Sequence, residues 1–214
     1  MFDPNVLSRG DEMARRTQAE RSDATSSKLV SAARDLFGRD GYAATSIETV
    51  AAAAGVTKGA AYHHFGNKAA LFRRVFIHEQ RQISAALERA AGEEPDSWSA
   101  LVRGCRTFLG HCLDPAFRRI VLLDGPSVLG WEAVREIEYA HTLRVLTEGI
   151  RAAAVDGNVI DGDLTARSQL IFGALCEAGM LLARSDDPAR ALPVVAAEAE
   201  LLLSSLARTP DRPA

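Results

Sequence analysis

The chain has 214 residues, of which 47% are hydrophobic and 25% charged, with a formal net charge of −3. These values are ordinary for a globular protein and exclude wholesale disorder, because there is enough apolar material for a core. The sequence lacks an uncharged apolar run of the roughly 18 residues that a membrane span needs, and the N-terminus MFDPNVLSRGDEMARR does not have the apolar stretch of a secretory signal. Three cysteines are too few for a disulfide framework, so we expect a reduced, cytoplasmic protein.

Charge is distributed unevenly along the chain. Residues 24–80 carry seven Lys or Arg against four acids, whereas residues 81–214 carry fourteen Arg against nineteen acids. All three lysines lie in the first of these segments. A small basic segment followed by a larger acidic one favours an anion-binding N-terminal module followed by a module of a different kind.

The spacing of apolar residues predicts an all-α chain of about nine helices. Residues 1–23 are polar and show no periodicity, which predicts a disordered N-terminal arm. A first helix is expected from about Ala24 to the glycines at 38–41, two short helices at 47–54 and 58–64, and a long helix from Asn67 to about Ala91. Thr45 or Ser46 suits the N-cap of the second helix and Thr57 that of the third.

Five further helices are predicted in the acidic part. One carries an apolar seam from Trp98 to Cys112, and a second begins at Asp114-Pro115 and is broken by Asp124-Gly125-Pro126. The others are expected at 131 to about 155, 164 to about 184, and 188 to about 207, with a loose tail at 208–214.

The stretch from 45 to 71, TSIETVAAAAGVTKGAAYHHFGNKAAL, has the layout of a helix-turn-helix, in which the second helix enters the DNA major groove. Two short helices are joined there by Ala54-Gly55-Val56. The second of them offers hydrogen-bond donors, one cation and small groups, which suit phosphates and base edges. Lys68 falls in the first turn of the next helix, where the helix dipole disfavours a cation, and a nearby anion would explain it.

The same stretch resembles the DNA-binding domain of the TetR family of transcriptional regulators, whose pattern runs T-T-hydrophobic and then A-G-V-S-x-G-x-L-Y-x-H-F-x-S/N-K. The resemblance covers residues 24–76 or so. The positions that match in the same spacing are Thr45, Ser46, Val50, Ala51, Ala54, Gly55, Val56, Thr57, Gly59, Tyr62, His64, Phe65, Asn67 and Lys68. The resemblance implies a three-helix DNA-binding domain at 24–66, followed by a helical effector-binding and dimerisation domain at 67–207.

The resemblance also implies roles for individual residues. Tyr62, His63 and Lys68 match positions that hold DNA phosphates, with Thr45 or Ser46 adding contacts at the start of the second helix. The positions that face base edges correspond to Thr57, Lys58 and Ala60. Lys58 could reach guanine O6 and N7, and Ala60 could touch a thymine methyl group. Tyr62 is expected to contribute both to core packing and to phosphate binding. A metal site at His63-His64 is disfavoured because adjacent side chains on a helix point about 100° apart.

Three residues depart from the family pattern. Glu48 stands where many members carry a basic or neutral residue, so near DNA it would either accept a hydrogen bond from cytosine N4 or weaken binding. Ala61 replaces a larger apolar residue, which would loosen the packing of the recognition helix. Ala69 removes an acid that would otherwise partner Lys68.

In the larger domain, bulky residues and polar residues inside apolar stripes are candidates for contacting an effector. Filling a core is the alternative for all of them, because periodicity does not separate the two outcomes. Glu177 could bind an effector, pair with an arginine such as Arg144, or meet its symmetry mate in a dimer. The candidates are Trp98, Cys105, Phe108, Trp131, Tyr139, His141, Phe172 and Glu177.

Small residues on the penultimate helix and an apolar face on the last helix, at about 164–207, predict a homodimer. The combined expectation is a homodimeric repressor that binds double-stranded DNA at a palindromic operator and is released by a small apolar or amphipathic effector. We expect no cofactor and no metal. A DNA-binding regulator without an effector is one alternative. A small helical enzyme is a less favoured hypothesis, because the sequence has no Cys or His pair at metal-ligand spacing, no phosphate loop and no nucleophile elbow. The small residues are Gly173, Ala174, Ala178 and Gly179, and the apolar face comprises Leu192, Val195, Ala199, Leu202 and Leu206.

Overall fold

The structure, a computed structural model, describes the backbone of residues 4–208 and the side chains of residues 20–208. The described backbone is helical, as the apolar periodicity predicts, and an antiparallel bridge between Val159 and Ala207 is the sole β-type pairing within that range. The helices are α1 (Pro4–Ala44), α2 (Ile47–Ala53), α3 (Lys58–Phe65), α4 (Lys68–Gly92), α5 (Ser97–His111), α6 (Pro115–Phe117), α7 (Gly125–Leu129), α8 (Trp131–Ala140), α9 (Thr142–Val155), α10 (Leu164–Arg184) and α11 (Pro188–Ser204). A π-helical segment, Arg118–Asp124, lies between α6 and α7.

The chain divides into two compact units, the first ending at Val75 and the second beginning at Phe76. In the first unit, α1, α2 and α3 pack with the start of α4 around side chains that are fully or almost fully buried. The rings of Phe37, Tyr42 and Phe72 pack against one another with centroids 5.2–5.8 Å apart. This aromatic cluster supplies the bulk that a small three-helix core needs.

Local capping fixes the two short helices of the first unit. The Ser46 hydroxyl accepts a hydrogen bond from the Thr49 amide at 3.0 Å, and the Thr57 hydroxyl accepts one from the Ala60 amide at 3.2 Å. Gly55 takes a positive φ of 67°, which lets the chain reverse between the helices without a Cβ penalty. The predicted helix-turn-helix layout is therefore confirmed.

The second unit is built mainly from α5, α9, α10 and α11, with α10 packing against both α9 and α11. Aspartates at the N-caps of α5, α10 and α11 accept hydrogen bonds from amides of the first turn, at Ser99, at Thr165 and Ala166, and at Arg190. The predicted spans of α10 and of the helix carrying the seam from Trp98 agree with the observed bounds.

The first helix begins earlier than the sequence predicts. Its backbone is helical from Pro4 rather than from Ala24, so from residue 4 onward the predicted disordered arm is part of α1. The segment DEMARRTQAERSDA is rich in residues that lose little freedom in a helix, and this propensity outweighs its missing apolar stripe. The predicted end is correct, because Gly41 leaves helical geometry with φ 83°. Residues 1–3, and residues 209–214 of the predicted tail, lie outside the described residues.

Two predicted boundaries in the second unit are wrong. The sequence Asp124-Gly125-Pro126 does not break the chain, because a π-helical segment leads directly into α7 and Gly130, with φ 82°, ends it. The wider π turn lies just before Pro126, which cannot donate a helical hydrogen bond. Conversely, the single helix predicted over 131–155 is interrupted at His141, where φ is −132° and ψ is −102°.

Among the described residues, none of the helices is long and apolar enough to span a membrane.

Candidate functional site

Helix α3, the predicted recognition helix, presents one accessible face to solvent. Thr57, Lys58, Tyr62 and His63 are exposed on it, and Ala60 is half-exposed. Ala61 is completely buried, so the smaller residue at this position is accommodated in the core of the first unit. The face therefore carries a hydroxyl, an ammonium group, a phenol and an imidazole, all of which can donate hydrogen bonds to phosphates or base edges.

Glu48 of α2 joins two of these residues. Its Oε1 atom lies 2.7 Å from the Lys58 Nζ atom and accepts a hydrogen bond of 3.2 Å from the Tyr62 hydroxyl. The Lys58 Nζ atom also lies 5.6 Å from the centre of the Tyr62 ring. Hydrogen bonding to Lys58 lowers the pKa of the Glu48 carboxyl to about 2, so this carboxylate stays charged even in moderately acidic solution. Sequence reasoning identified Glu48 as a departure but did not predict these contacts.

Thr45 differs from the other predicted DNA-binding residues because its side chain is buried. Its hydroxyl donates to the carbonyl oxygens of Gly41 at 2.9 Å and of Leu36 at 3.3 Å, where α1 ends. A side chain that is 3% exposed and already hydrogen-bonded cannot reach a phosphate. Of the two candidates at the start of α2, Ser46 is therefore the accessible one.

Lys68 also acts inside the first unit. Its Nζ atom donates to the carbonyl oxygens of Tyr42 and Thr45, each at 3.0 Å, and lies 4.1 Å from the centre of the Tyr42 ring. The expectation that Lys68 lacks a local partner after the loss of the acid at Ala69 is therefore wrong. Two carbonyl groups and an aromatic face explain the cation at a helix start without an external anion.

The second unit contains an apolar cavity of about 70 Å³. Three of the predicted effector-contacting residues, Cys105, Phe108 and Phe172, line it, and burial raises the pKa of the Cys105 thiol to about 12. The side chains around the cavity come from α4 (Leu87, Ala91), α5 (Ala100, Leu101, Gly104, Cys105, Phe108), α9 (Thr142, Val145, Leu146, Gly149) and α10 (Phe172, Leu175). The lining therefore contains a single hydroxyl, that of Thr142, and no charged group.

Trp98, Trp131 and Tyr139, the predicted large aromatic contacts, lie away from this cavity. Trp131 is 63% exposed and stacks under the Arg135 guanidinium, 4.6 Å from its ring centre. Tyr139 is also exposed, and its hydroxyl accepts a hydrogen bond from Gln169. Trp98 lines a shallow surface depression of α5. Tyr139 also borders a polar surface depression, with Arg144 and Glu148 of α9 and Thr165 of α10 in its lining.

The two predicted polar contacts are likewise outside the cavity. Glu177 is 61% exposed and pairs with Arg184 at 3.4 Å, not with Arg144, which pairs with Glu88 and Glu148 instead. His141 marks the break between α8 and α9. The apolar run around Glu177 led to an expectation of burial, but its own position on α10 faces solvent in the single chain.

Sequence reasoning missed the residues that create the cavity. Gly104 of α5 has open space where a Cβ would be, and a Cβ on Gly149 of α9 would lie 3.3 Å from Leu101. Thr142 contributes the polar edge, since its buried hydroxyl donates to the side-chain oxygen of Gln80. Glycines inside two otherwise regular helices were the available signal, because a helix interior disfavours glycine unless space requires it.

An exposed apolar surface follows α10 and α11. Its large members are Leu170, Leu181, Val194, Leu201 and Leu202. The predicted stripe of small residues on α10 only partly contributes to this surface. Gly179 is buried, and a Cβ there would lie 2.9 Å from Leu122 and 3.0 Å from the Cys112 sulfur, so this glycine serves packing within the subunit.

Comparison with known proteins matches both units to one family. Residues 29–75 match the profile of bacterial regulatory proteins of the tetR family, and residues 98–206 match the tetracyclin repressor-like C-terminal domain. A TetR-family transcriptional regulator from Pectobacterium atrosepticum, solved as a crystal structure, is 31% identical and superposes with a TM-score of 0.76 over 89% of this chain and 98% of that one.

Two relatives match over shorter lengths. The TetC protein of transposon Tn10 from Escherichia coli is 32% identical over 120 residues, which is 56% of this chain and 60% of that protein. The regulator CymR from Pseudomonas putida is 46% identical over 70 residues, 33% of this chain and 34% of CymR. The chain thus spans less than two thirds of the length of these two relatives. With both profiles matched in order, the chain belongs to the TetR family of transcriptional regulators, which are DNA-binding repressors.

Proposed function

We propose that the chain is a homodimeric repressor that reads a palindromic operator and leaves it when a small neutral molecule occupies the cavity of the second unit. The observation that carries this proposal is an apolar cavity within a chain whose other unit carries a helix-turn-helix. Regulation requires that the effector bind the released form more tightly than the DNA-bound form. A tenfold shift in that equilibrium corresponds to about 1.4 kcal/mol of differential affinity.

The exposed face of α3 supports operator reading. Ser46, Tyr62 and His63 are proposed to hold phosphates, and Thr57, Lys58 and Ala60 to face base edges. Two such helices related by a two-fold axis would reach half-sites about 34–36 Å apart or a little more, in successive major grooves.

The exposed apolar surface of α10 and α11 supports dimer formation. Leu170 is 74% exposed, and Val194 and Leu201 are each 67% exposed. Covering such a surface with a second copy would remove apolar area from water, the main source of association free energy. Glu177 lies on the same exposed side of α10, where it would face the seam of the dimer.

The cavity favours a compact, uncharged molecule as the proposed effector. Its 70 Å³ is less than half of an engineered apolar cavity of about 150 Å³ that binds benzene, so an effector would have to displace side chains as it enters. An ion would lose its hydration without gaining a partner, because the cavity lining contains no charged side chain. The Thr142 hydroxyl, whose proton is donated to Gln80, could accept one hydrogen bond from an effector.

The test begins with selection of operator DNA by the purified protein, followed by release of the bound operator by neutral compounds. Tyr62→Ala should weaken binding at unchanged sequence preference. Gly104→Met should fill the cavity and block release while DNA binding persists. Gly110→Met is the matched control, because it lies on the same helix outside the cavity with open space around it. Release of Gly104→Met by the same compounds at the same concentrations would contradict the proposed effector site.

A regulator without a small-molecule effector is the second candidate, and the small volume of the cavity favours it. In that case Gly104→Met would stabilise the second unit, and neutral compounds would leave wild-type operator binding unchanged.

A further inference from the structure

We infer that Glu48 competes with DNA: its carboxylate holds Lys58 and Tyr62 in the free protein and makes binding more selective for the operator. The inference rests on the proposed reading of an operator by α3. It adds a residue of α2 that controls when the side chains of α3 become available.

The Glu48 carboxylate contacts two of the proposed DNA-binding side chains at the same time. Its Oε1 atom lies within hydrogen-bonding distance of both the Lys58 ammonium and the Tyr62 hydroxyl. A phosphate oxygen would use the same two donors, an ammonium group and a phenol. Glu48 and DNA therefore compete for them.

The side chains of Glu48, Lys58 and Tyr62 are exposed, so DNA can reach them and displace the carboxylate. The side chains of Glu48 and Lys58 are 44% and 64% exposed, and Tyr62 is 40% exposed. Exposed pairs of this kind are weak, which means that a well-placed competitor can displace the carboxylate. The carboxylate is ionised at neutral pH with or without Lys58 beside it, so release of Lys58 and Tyr62 requires a competing acceptor rather than a proton.

Competition of this kind affects different DNA sequences unequally. Non-specific binding consists of phosphate contacts, and a paired Lys58 adds little to them because Glu48 already cancels its charge. At the operator, acceptors on a base edge offer Lys58 a second, directional partner that compensates for leaving Glu48. Glu48 should therefore weaken binding to arbitrary DNA more than binding to the operator.

The experiment measures binding of the full chain to a selected operator duplex and to a scrambled duplex by fluorescence anisotropy over a range of salt concentrations. Glu48→Gln should bind the scrambled duplex roughly two- to fivefold more tightly, bind the operator with a smaller gain, and so lower the specificity ratio. Its salt slope on the scrambled duplex should steepen by about 0.9, the contribution of one additional phosphate contact. Asp35→Asn, which removes an exposed acid from α1, is the charge-matched control and should leave the specificity ratio unchanged.

A double-mutant cycle with Lys58→Ala separates competition from a general charge effect. Removing Lys58 should reduce affinity for the scrambled duplex more in the Glu48→Gln background than in the wild type, because Lys58 is then free to contact phosphates. Thermal unfolding of each variant reports whether the first unit remains folded, and Glu48→Ala offers a second substitution that should act in the same direction.

Equal costs of Lys58→Ala in both backgrounds, or weaker binding by Glu48→Gln, would overturn the inference while wild-type operator binding stands. Failure of the wild type to bind any duplex would instead overturn the proposed function, and the inference with it.

Discussion

Lys68 and Tyr42 are joined twice, because the lysine Nζ atom donates to the tyrosine carbonyl oxygen at 3.0 Å and lies 4.1 Å from the centre of the tyrosine ring. A further hydrogen bond from the same atom reaches the carbonyl oxygen of Thr45. The lysine thus ties the first turn of α4 to the segment between α1 and α2. A residue expected to contact DNA has a structural role in the position of the helix-turn-helix.

Lys68→Met should therefore destabilise the protein, because it retains the apolar stem but leaves the two carbonyl groups without their charged donor. We expect a loss of about 1–3 kcal/mol in the free energy of unfolding, measured by urea denaturation. Lys28→Met, at an exposed position of α1, removes the same charge and should have little effect. If Lys68→Met weakened DNA binding at unchanged stability, a direct phosphate contact would be the better explanation.

Gly125 should not tolerate a side chain. It is buried, and a Cβ at this position would lie 2.6 Å from the Phe76 Cε2 atom and 3.1 Å from the carbonyl oxygen of Ile120. Gly125→Ala should cost about 1–3 kcal/mol, since the ring and the adjoining π-helical segment would both have to move. Gly110→Ala on α5 has open space around its Cβ and should instead be neutral or stabilise by up to about 1 kcal/mol. Calorimetric melting of the two variants compares them directly, and similar melting temperatures would contradict the close contact.

Glu138 should make stability fall as pH rises. It is 7% exposed, and burial raises the pKa of its carboxyl to about 7, above the ordinary value of 4.5. Arg135 lies 3.3 Å away, but the facing Oε2 and Nη1 atoms have no hydrogen-bond partner among the described residues. The folded state therefore retains a proton that the unfolded chain releases. The stabilisation is complete below about pH 4.5 and is lost as pH rises through about 7.

The corresponding test compares unfolding free energies near pH 6 and pH 8. Glu138→Gln should remove most of the decrease, which is about 1 kcal/mol between these two pH values because only one pH unit of the window lies below the folded-state pKa. Glu132→Gln changes an exposed acid on the same helix and should retain the wild-type pH dependence. A wild-type protein that gains stability over this range would show that Arg135 keeps Glu138 ionised.

Thr142→Val should test the polar edge of the cavity. Removing the hydroxyl leaves the side-chain oxygen of Gln80 buried without its donor, at a cost of about 1–3 kcal/mol. Thr147→Val is the matched control on α9, because that hydroxyl donates within its own helix, to the Leu143 carbonyl oxygen. Chemical denaturation of both variants is the measurement, and equal losses would contradict a special role for the pair of Thr142 and Gln80.

Local sequence signals predicted much of the fold. Ser46, Thr57 and Asp163 are caps whose function depends on residues two or three positions away, so their effect is visible in the sequence. The exposed positions of α3 follow similarly from helical spacing around the buried Ala61. Caps and helical spacing involve residues within one or two turns of helix, so they can be read from the sequence.

What the sequence could not predict depends on contacts between distant segments. Lys68 finds its partners 23 and 26 residues earlier in the chain, and Thr142 meets Gln80 from 62 residues away. The break at His141 precedes that second contact and has no glycine or proline to indicate it. Glu48 and Tyr62 are 14 residues apart in the sequence, and their hydrogen bond depends on the geometry of the turn between α2 and α3, which the sequence alone does not give.

The bridge between Val159 and Ala207 has a consequence for how the second unit opens. The Ile160 amide donates to the Leu206 carbonyl oxygen and the Arg208 amide to the Asn158 carbonyl oxygen, so the segments before α10 and after α11 are fastened together. Two helices whose outer ends are joined in this way cannot fray independently. Their amides should exchange with deuterium as one cooperative block, and cutting the chain after Ser205 would release α11 into the fast-exchanging fraction.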